Sequence, residues 1–193
     1  MILSFLSFGG KTVNAVARHS RTLAQCALFT SLLVVATMIQ IPGTVPFTLQ
    51  TMAVCITAGL LGTRKGTISV LAYLIMGAIG LPVFSGFSGG LDKLLGVTGG
   101  YLLGFVLTVP VIGIGKRLFP DSKLALALFM VLGVALCYVV GTAWFYFVYT
   151  SRGEAISLYA VLSACVFPFL LPECVKLIAA VEITWRLRKI VKI

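Results

Sequence analysis

The sequence predicts an all-α integral membrane protein of six transmembrane helices, with a glycine-rich outer loop between the third and the fourth. Three observations predict it. Of 193 residues, 60% are hydrophobic and only 10% charged, and the mean hydropathy is +1.11. A soluble domain carries roughly 25% charged residues, so this chain cannot cover a water-facing surface and its apolar residues must face a bilayer. Apolar runs long enough to cross a membrane recur along the chain and end at proline, glycine or basic pairs. Between two of them, residues 80–105 (GLPVFSGFSGGLDKLLGVTGGYLLGF) hold eight glycines and the charged pair Asp92 and Lys93. Such a density of glycine marks chain that turns tightly or lets something approach its backbone.

The spans follow from about 20 apolar residues crossing about 30 Å. The first covers about residues 22–41 and stops at Pro42-Gly43, and the second covers about 45–62 and ends at Arg64-Lys65. The third is about 66–81, closed by Pro82. The fourth runs over about 97–115 to Lys116-Arg117, and the fifth starts after Lys123 and reaches about 147, with Trp144, Tyr146 and Tyr149 near its far end. The last apolar run, 156–185, is too long for one straight helix. Pro168 and Pro172 are read as breaking it, since proline removes a donor and clashes with the preceding turn. Counting back from Arg186 starts the sixth span near Val166, with 156–165 as an interfacial piece. A span starting at Ile156, with the prolines at its other end, is the competing division.

Residues 1–21 read as an amphipathic or loosely ordered leader rather than a signal peptide, because MILSFLSFGG lacks a basic start and its apolar part is short. The membrane domain is then 22–187, and 188–193 form a basic tail. Twelve Lys and Arg fall on one side of the predicted spans, against only Lys93 and Arg152 on the other. The positive-inside rule places both termini in the cytoplasm of a cell whose inner membrane holds the chain. The glycine-rich loop, the 42–46 turn followed by Thr48 and Gln50, and Trp144 all gather at the opposite face, as a pocket open to the exterior would.

Several functions are excluded by inventory. The net charge of +10 would suggest nucleic acid in a soluble protein, but here the basic residues cluster at span ends. Five cysteines lie within apolar runs without C-x-x-C spacing and read as small hydrophobes. Five acidic residues, a single histidine (His19, in the leader) and no metal-ligand cluster leave little for acid–base or metal catalysis. Gly9-Gly10-Lys11-Thr12 resembles the end of a P-loop, but no strand precedes it. The expectation is no enzyme, no metal and no cofactor.

Glu173 and Lys176 stand out within the last span. Three residues apart, they share a helix face, and at 1.5 Å per residue they sit a quarter to a third of the way in from the outer surface. An intramembrane charge costs at least about 2.5–3.5 kcal/mol on insertion scales. Either the two simply neutralise each other, or Lys176 snorkels, or both face a polar cavity and bind a ligand. Trp144 could stack on that ligand or belong to an interfacial aromatic belt. The small-x-x-x-small spacings, such as Gly96/Gly100 and Gly100/Gly104, point to close helix packing.

The residues now assembled carry a resemblance. Gly-Leu-Pro-Val-Phe-Ser-Gly-Phe-Ser-Gly-Gly at 80–90 and Gly-Val-Thr-Gly-Gly-Tyr-Leu-Leu-Gly-Phe at 96–105 closely resemble the signature of the BioY family. Members of that family are biotin-binding S components of energy-coupling factor transporters. The likeness extends through 45–52, 62–69, Gly141-Thr142-Ala143-Trp144, and the carboxylate-x-x-lysine element ending at Lys176, covering about residues 20–187. It implies six helices, an outward biotin site, no catalysis by this subunit, and uptake energised by a transmembrane coupling subunit and ATP-binding subunits. Departures fall in the implied pocket: Glu173 where the family usually has Asp, Pro172 for glycine, Val97 for a proline, and Ser88 where some members carry asparagine. On the first helix, the family's small-residue pattern appears only as Ala27-x-x-x-Ser31.

The resemblance further implies how biotin would be held. Glu173 would accept from a ureido N–H and Lys176 would attract the polar or anionic end. Ser88 and the loop backbone at Gly89 and Gly90 would hydrogen-bond, and Phe84, Phe87, Tyr101 and Trp144 would pack the apolar ring. Two alternatives stand beside it. One is an S component for another vitamin. The other is a stand-alone secondary transporter, which would require matched breaks in the two halves; the glycine-rich break has no counterpart half a chain away.

Overall fold

The computed structural model describes residues 2–42, 46–153 and 157–190, with residues 2–18 as backbone only. Within them the chain is helical almost throughout. Helix α1 (Ile2–Met38) leads to a small antiparallel pair, β1 (Gln40–Ile41) and β2 (Phe47–Thr48), and then to α2 (Gln50–Ala78). The glycine-rich segment contains the short α3 (Leu91–Leu95), and α4 (Gly99–Leu118), α5 (Lys123–Ser151), α6 (Leu158–Cys165) and α7 (Phe167–Ile190) follow. Among the described residues, four helical stretches are long and apolar enough to cross a membrane: His19–Met38, Gly99–Leu118, Lys123–Ser151 and Leu158–Ile190.

The residues expected to form the second and third spans fall in the two limbs of α2. Gly62 breaks its helical backbone with φ 75° and ψ −171°, a conformation that costs a side chain its Cβ clearance but costs glycine nothing. The limbs fold back antiparallel: Gln50 Nε2 donates to the Tyr73 hydroxyl at 2.6 Å, and Gly66 packs against the backbone of Ala58. A helix that stops at Gly62 leaves carbonyls without intrahelical donors, and basic side chains from two other helices fill the gap. Lys116 of α4 donates to the Leu60 carbonyl. Arg188 of α7 donates through Nη2 (2.9 Å) and Nε (3.1 Å) to that of Gly59. Cations at a helix C-terminus are favourable to its dipole as well. Residues the sequence marked as topology anchors thus also close the turn of α2.

Helix α2 is central, packing on α1, α4 and α7, while α4 packs on α5 and α5 on α7. Its Val54, Cys55 and Ala58 meet Val109, Ile112 and Met130 in a core without water access. Large apolar side chains such as Ile75, Val139, Phe147 and Ile178 stay exposed around the outside, as a lipid-facing wall requires.

The sixth region divides at Val166, whose non-helical backbone (φ −123°, ψ −59°) separates α6 from α7. Of the two divisions read from sequence, the one near Val166 coincides with this break. The reading of the prolines is corrected: Pro168 lies in the first turn of α7, where a missing N–H is harmless, and Pro172 lies inside the helix without ending it. Helix α5 runs on to Ser151 rather than 147, and α2 ends at Ala78 rather than 81. The starts proposed at Val45 and Ile156, the side chains of the 9–12 motif, and tail residues 191–193 lie outside the described residues.

Candidate functional site

Two adjoining cavities lie at the end of the molecule opposite the Gly62 turn, here the cavity end. The larger, about 340 Å³, is lined among others by Gln40, Phe84, Ser88, Lys93, Val97 and Tyr101. The smaller, about 60 Å³, is lined among others by Phe47, Thr51, Tyr138, Phe169, Glu173 and Lys176. Pro46, Gln50, Tyr101 and Phe105 line both, so the small cavity is the deep end of one continuous site. Its combined size falls within the range of small-molecule pockets.

Helix geometry brings Glu173 and Lys176 together at the deep end. Both residues are buried, 5% and 7% exposed, and Lys176 Nζ lies 2.5 Å from Glu173 Oε2. Lys176 also donates to Thr51 Oγ1 (2.7 Å) and to the Thr48 carbonyl (3.1 Å), and it stands 4.8 Å from the centre of the Phe47 ring. An ammonium has three N–H groups, so all of its donors are engaged within the protein. The carboxylate is different. Oε2 accepts from Lys176 and from the Tyr138 hydroxyl at 3.2 Å, while Oε1 is buried with no partner among the described residues. A buried polar atom left unsatisfied is costly, and here it belongs to a residue that lines the smaller cavity.

The walls are held by their own networks. Tyr73 receives the Gln50 amide and contacts Thr37 at 3.1 Å, and its hydroxyl donates to the Val83 carbonyl at 3.3 Å. Thr48 Oγ1 in turn donates to Gln50 Oε1 at 3.0 Å. These bonds join α1, both limbs of α2 and the glycine-rich segment. Tyr101 shares a hydrogen bond with Thr142 at 3.0 Å and meets Tyr138 edge-on, with ring centres 5.9 Å apart. The β1–β2 pair borders both cavities, with Gln40 lining the larger and Phe47 and Thr48 the smaller, and the Ser85 hydroxyl donates to the side-chain oxygen of Gln40.

Of the residues singled out from sequence, Glu173, Lys176, Ser88, Phe84 and Tyr101 line the cavities. Four do not. Phe87 takes a left-handed backbone (φ 51°) at the tip of the turn closed by Phe84 and Ser88, and its side chain is 71% exposed. Trp144 donates its indole N–H to the Gly96 carbonyl at 2.9 Å and packs its Cβ and ring against Gly100. It clamps the loop entering α4. Gly89 and Gly90 fold the loop: a Cβ on Gly89 would come within 2.9 Å of the Gly80 backbone, and the Gly90 N–H bonds the Gly77 carbonyl at 2.7 Å.

Tyr138, Thr51 and Lys93 also line the cavities, and little in the sequence marks them. Tyr138 is one hydroxyl within a long apolar run, and Thr51 offered only its place beside Thr48 and Gln50 at the head of another. Lys93, beside Asp92 in the glycine-rich segment, bears in the sequence only on topology. Among the described residues there is no cluster of three or more His, Cys, Asp or Glu able to hold a metal ion.

Comparison with known proteins locates the chain. The BioY family matches residues 11–193. The "Biotin transporter BioY" of Thermotoga maritima is 40% identical over 174 residues, covering 88% of this chain and 97% of that protein. The "Probable biotin transporter BioY" of Pyrococcus horikoshii is 35% identical over 170 residues, with the same coverage of 88% and 97%. Among solved structures, the S-component for biotin from an ECF-type ABC transporter superposes with a TM-score of 0.81 at 32% identity, covering 90% of this chain and 93% of that one.

Proposed function

The chain belongs to the BioY family, and from that premise we propose that it is the membrane-embedded biotin-binding subunit of an energy-coupling factor uptake system. It works without catalysis of its own, and separate coupling and ATP-binding subunits supply the energy. The helices cross the membrane six times, with the two limbs of α2 as the second and third crossings. The basic end faces the cytoplasm and the cavity end faces outward, as the distribution of Lys and Arg supports.

One observation carries the reading of the site: Glu173 Oε1 is a buried acceptor with no partner among the described residues, beside a lysine whose donors are already spent. The deep end therefore has room for a hydrogen-bond donor. Biotin's ureido ring brings two N–H groups, and one of them satisfies Oε1. The ring system packs on Tyr101 and Phe105, which line both cavities. Lys176 then acts by holding and neutralising Glu173 rather than by attracting the anionic end of the ligand.

Equilibrium binding of labelled biotin to the purified protein in detergent tests this, with thiamine and riboflavin as competitors. The expected result is saturable binding that the two competitors leave untouched. Replacing Glu173 with Ala removes a charge-assisted hydrogen bond of about 1.5–3 kcal/mol and weakens binding roughly tenfold or more. Unchanged affinity in a folded Glu173→Ala protein would sink the assignment.

A further inference from the structure

We propose that Lys93 is a specificity-determining residue at the mouth of the cavity, where it selects ligands that carry a free carboxylate at the end opposite the ureido ring. The inference rests on the biotin reading above and deepens it.

The two ends of the site differ in charge. At the deep end the Glu173–Lys176 pair is neutral in sum, and the polar capacity left over is a carboxylate oxygen. A second carboxylate placed there would meet that oxygen at close range in a dry environment, where like charges repel strongly. The anionic end of a ligand is therefore turned away from Glu173, toward the larger cavity.

In the larger cavity, among the described residues, the one charged side chain in the lining is Lys93. Its side chain projects from α3 and is exposed, and its ammonium makes no hydrogen bond or ion pair with another described residue. Its neighbour Asp92 is exposed and is not part of the lining. Thr98, the residue that precedes α4, lines the same wall, so the positive end of that helix dipole adds potential of the same sign. Lys93 is one of only two basic residues on this side of the predicted spans, the other being Arg152, which is absent from the lining. An ammonium on a flexible stem, unpaired at the rim, recognises an anion as a point charge and places few geometric demands on it.

The test compares biotin with biotinamide, in which an uncharged carboxamide replaces the carboxylate. Both compete against labelled biotin on the full-length protein in detergent, at low and at high salt. The wild type is expected to prefer the acid by about two- to fivefold, the range of an exposed ion pair, and salt should shrink that preference. In Lys93→Gln the preference should collapse toward unity, mainly through loss of acid affinity, and Lys93→Arg should retain it. The side chain is exposed on a short loop helix, so neither substitution endangers the fold. A Lys93→Gln protein that keeps the wild-type ratio overturns the proposal while leaving the biotin reading intact. A folded wild type that binds neither compound defeats the biotin reading, and this proposal with it.

Discussion

Helix α7 carries two glutamates nine positions apart, and they differ in almost everything but chemistry. At 3.6 residues per turn that spacing puts them on opposite faces. The Glu182 side chain is 39% exposed, and both its oxygens are filled, Oε2 by Lys123 at 2.5 Å and Oε1 by Arg186 at 2.6 Å. The Glu173 side chain is 7% exposed, shares one oxygen between Lys176 and Tyr138, and leaves the other with nothing. An ion pair is thus no mark of a site, since both residues have one. What separates them is an acceptor left over in a dry place beside a cavity. Burying a charge pair costs several kcal/mol per ion unless its hydrogen bonds are complete, and at Glu173 they are complete on the lysine side only.

The largest effect expected from disturbing this contrast is on stability. Changing Lys176 to Met strands a buried carboxylate, and removing one partner of a buried pair typically costs about 3–5 kcal/mol. Thermal unfolding in detergent should show a large fall in melting temperature. Replacing both residues, as in Glu173→Leu with Lys176→Met, should recover much of that loss, because an apolar pair of similar volume needs no partners. The double variant should nevertheless bind no biotin. A stable double variant that binds as well as the wild type would show that the pair serves the fold alone.

A smaller effect separates holding from binding. Tyr138→Phe removes the hydroxyl that fixes Glu173 Oε2 while keeping the ring packed on Tyr101. A hydrogen bond to a charged group contributes about 1.5–3 kcal/mol, and this one is made with or without ligand, so the melting temperature should fall while biotin affinity weakens only as far as Glu173 loses its position. In a Glu173→Ala background the same substitution should do nothing further, since contacting residues couple and the carboxylate would already be gone. Additive losses would place Tyr138 on the ligand directly.

How far the sequence foretold these features depends on whether they are local. The break at Gly62 was legible because glycine and the basic pair that follows it act within a turn of where they stand, whereas Pro168 and Pro172 end no helix. The pairing of Glu173 with Lys176 was legible because a spacing of three is settled by the helix itself. Trp144 was not, because its choice between a ligand and the Gly96 carbonyl is made by a loop 48 residues away in the chain. The same holds for Lys116 and Arg188, whose acceptors on α2 lie 56 and 129 residues distant. Sequence marks them as cations at span ends, and only packing shows that they also close a broken helix. The outward position of Phe87 is hidden for a related reason: a pattern of aromatic residues does not say which one a tight turn will push outward.

The smallest effect is expected at Glu182. Glu182→Gln keeps the volume and one acceptor while removing the charge that Lys123 and Arg186 share. All three side chains are substantially exposed, at 39%, 48% and 75%, and ion pairs in such settings contribute little once side-chain entropy and salt are counted. The position also faces away from the cavity, about 13 Å along the axis from Glu173. Biotin affinity should therefore stay at the wild-type value, and the melting temperature should move marginally, less so at high salt. A clear loss of binding in Glu182→Gln would mean that α7 transmits a change on its far face to the deep end of the site. The two glutamates would then be coupled through the helix, and the orphan oxygen alone would no longer explain why only one of them is proposed to meet the ligand.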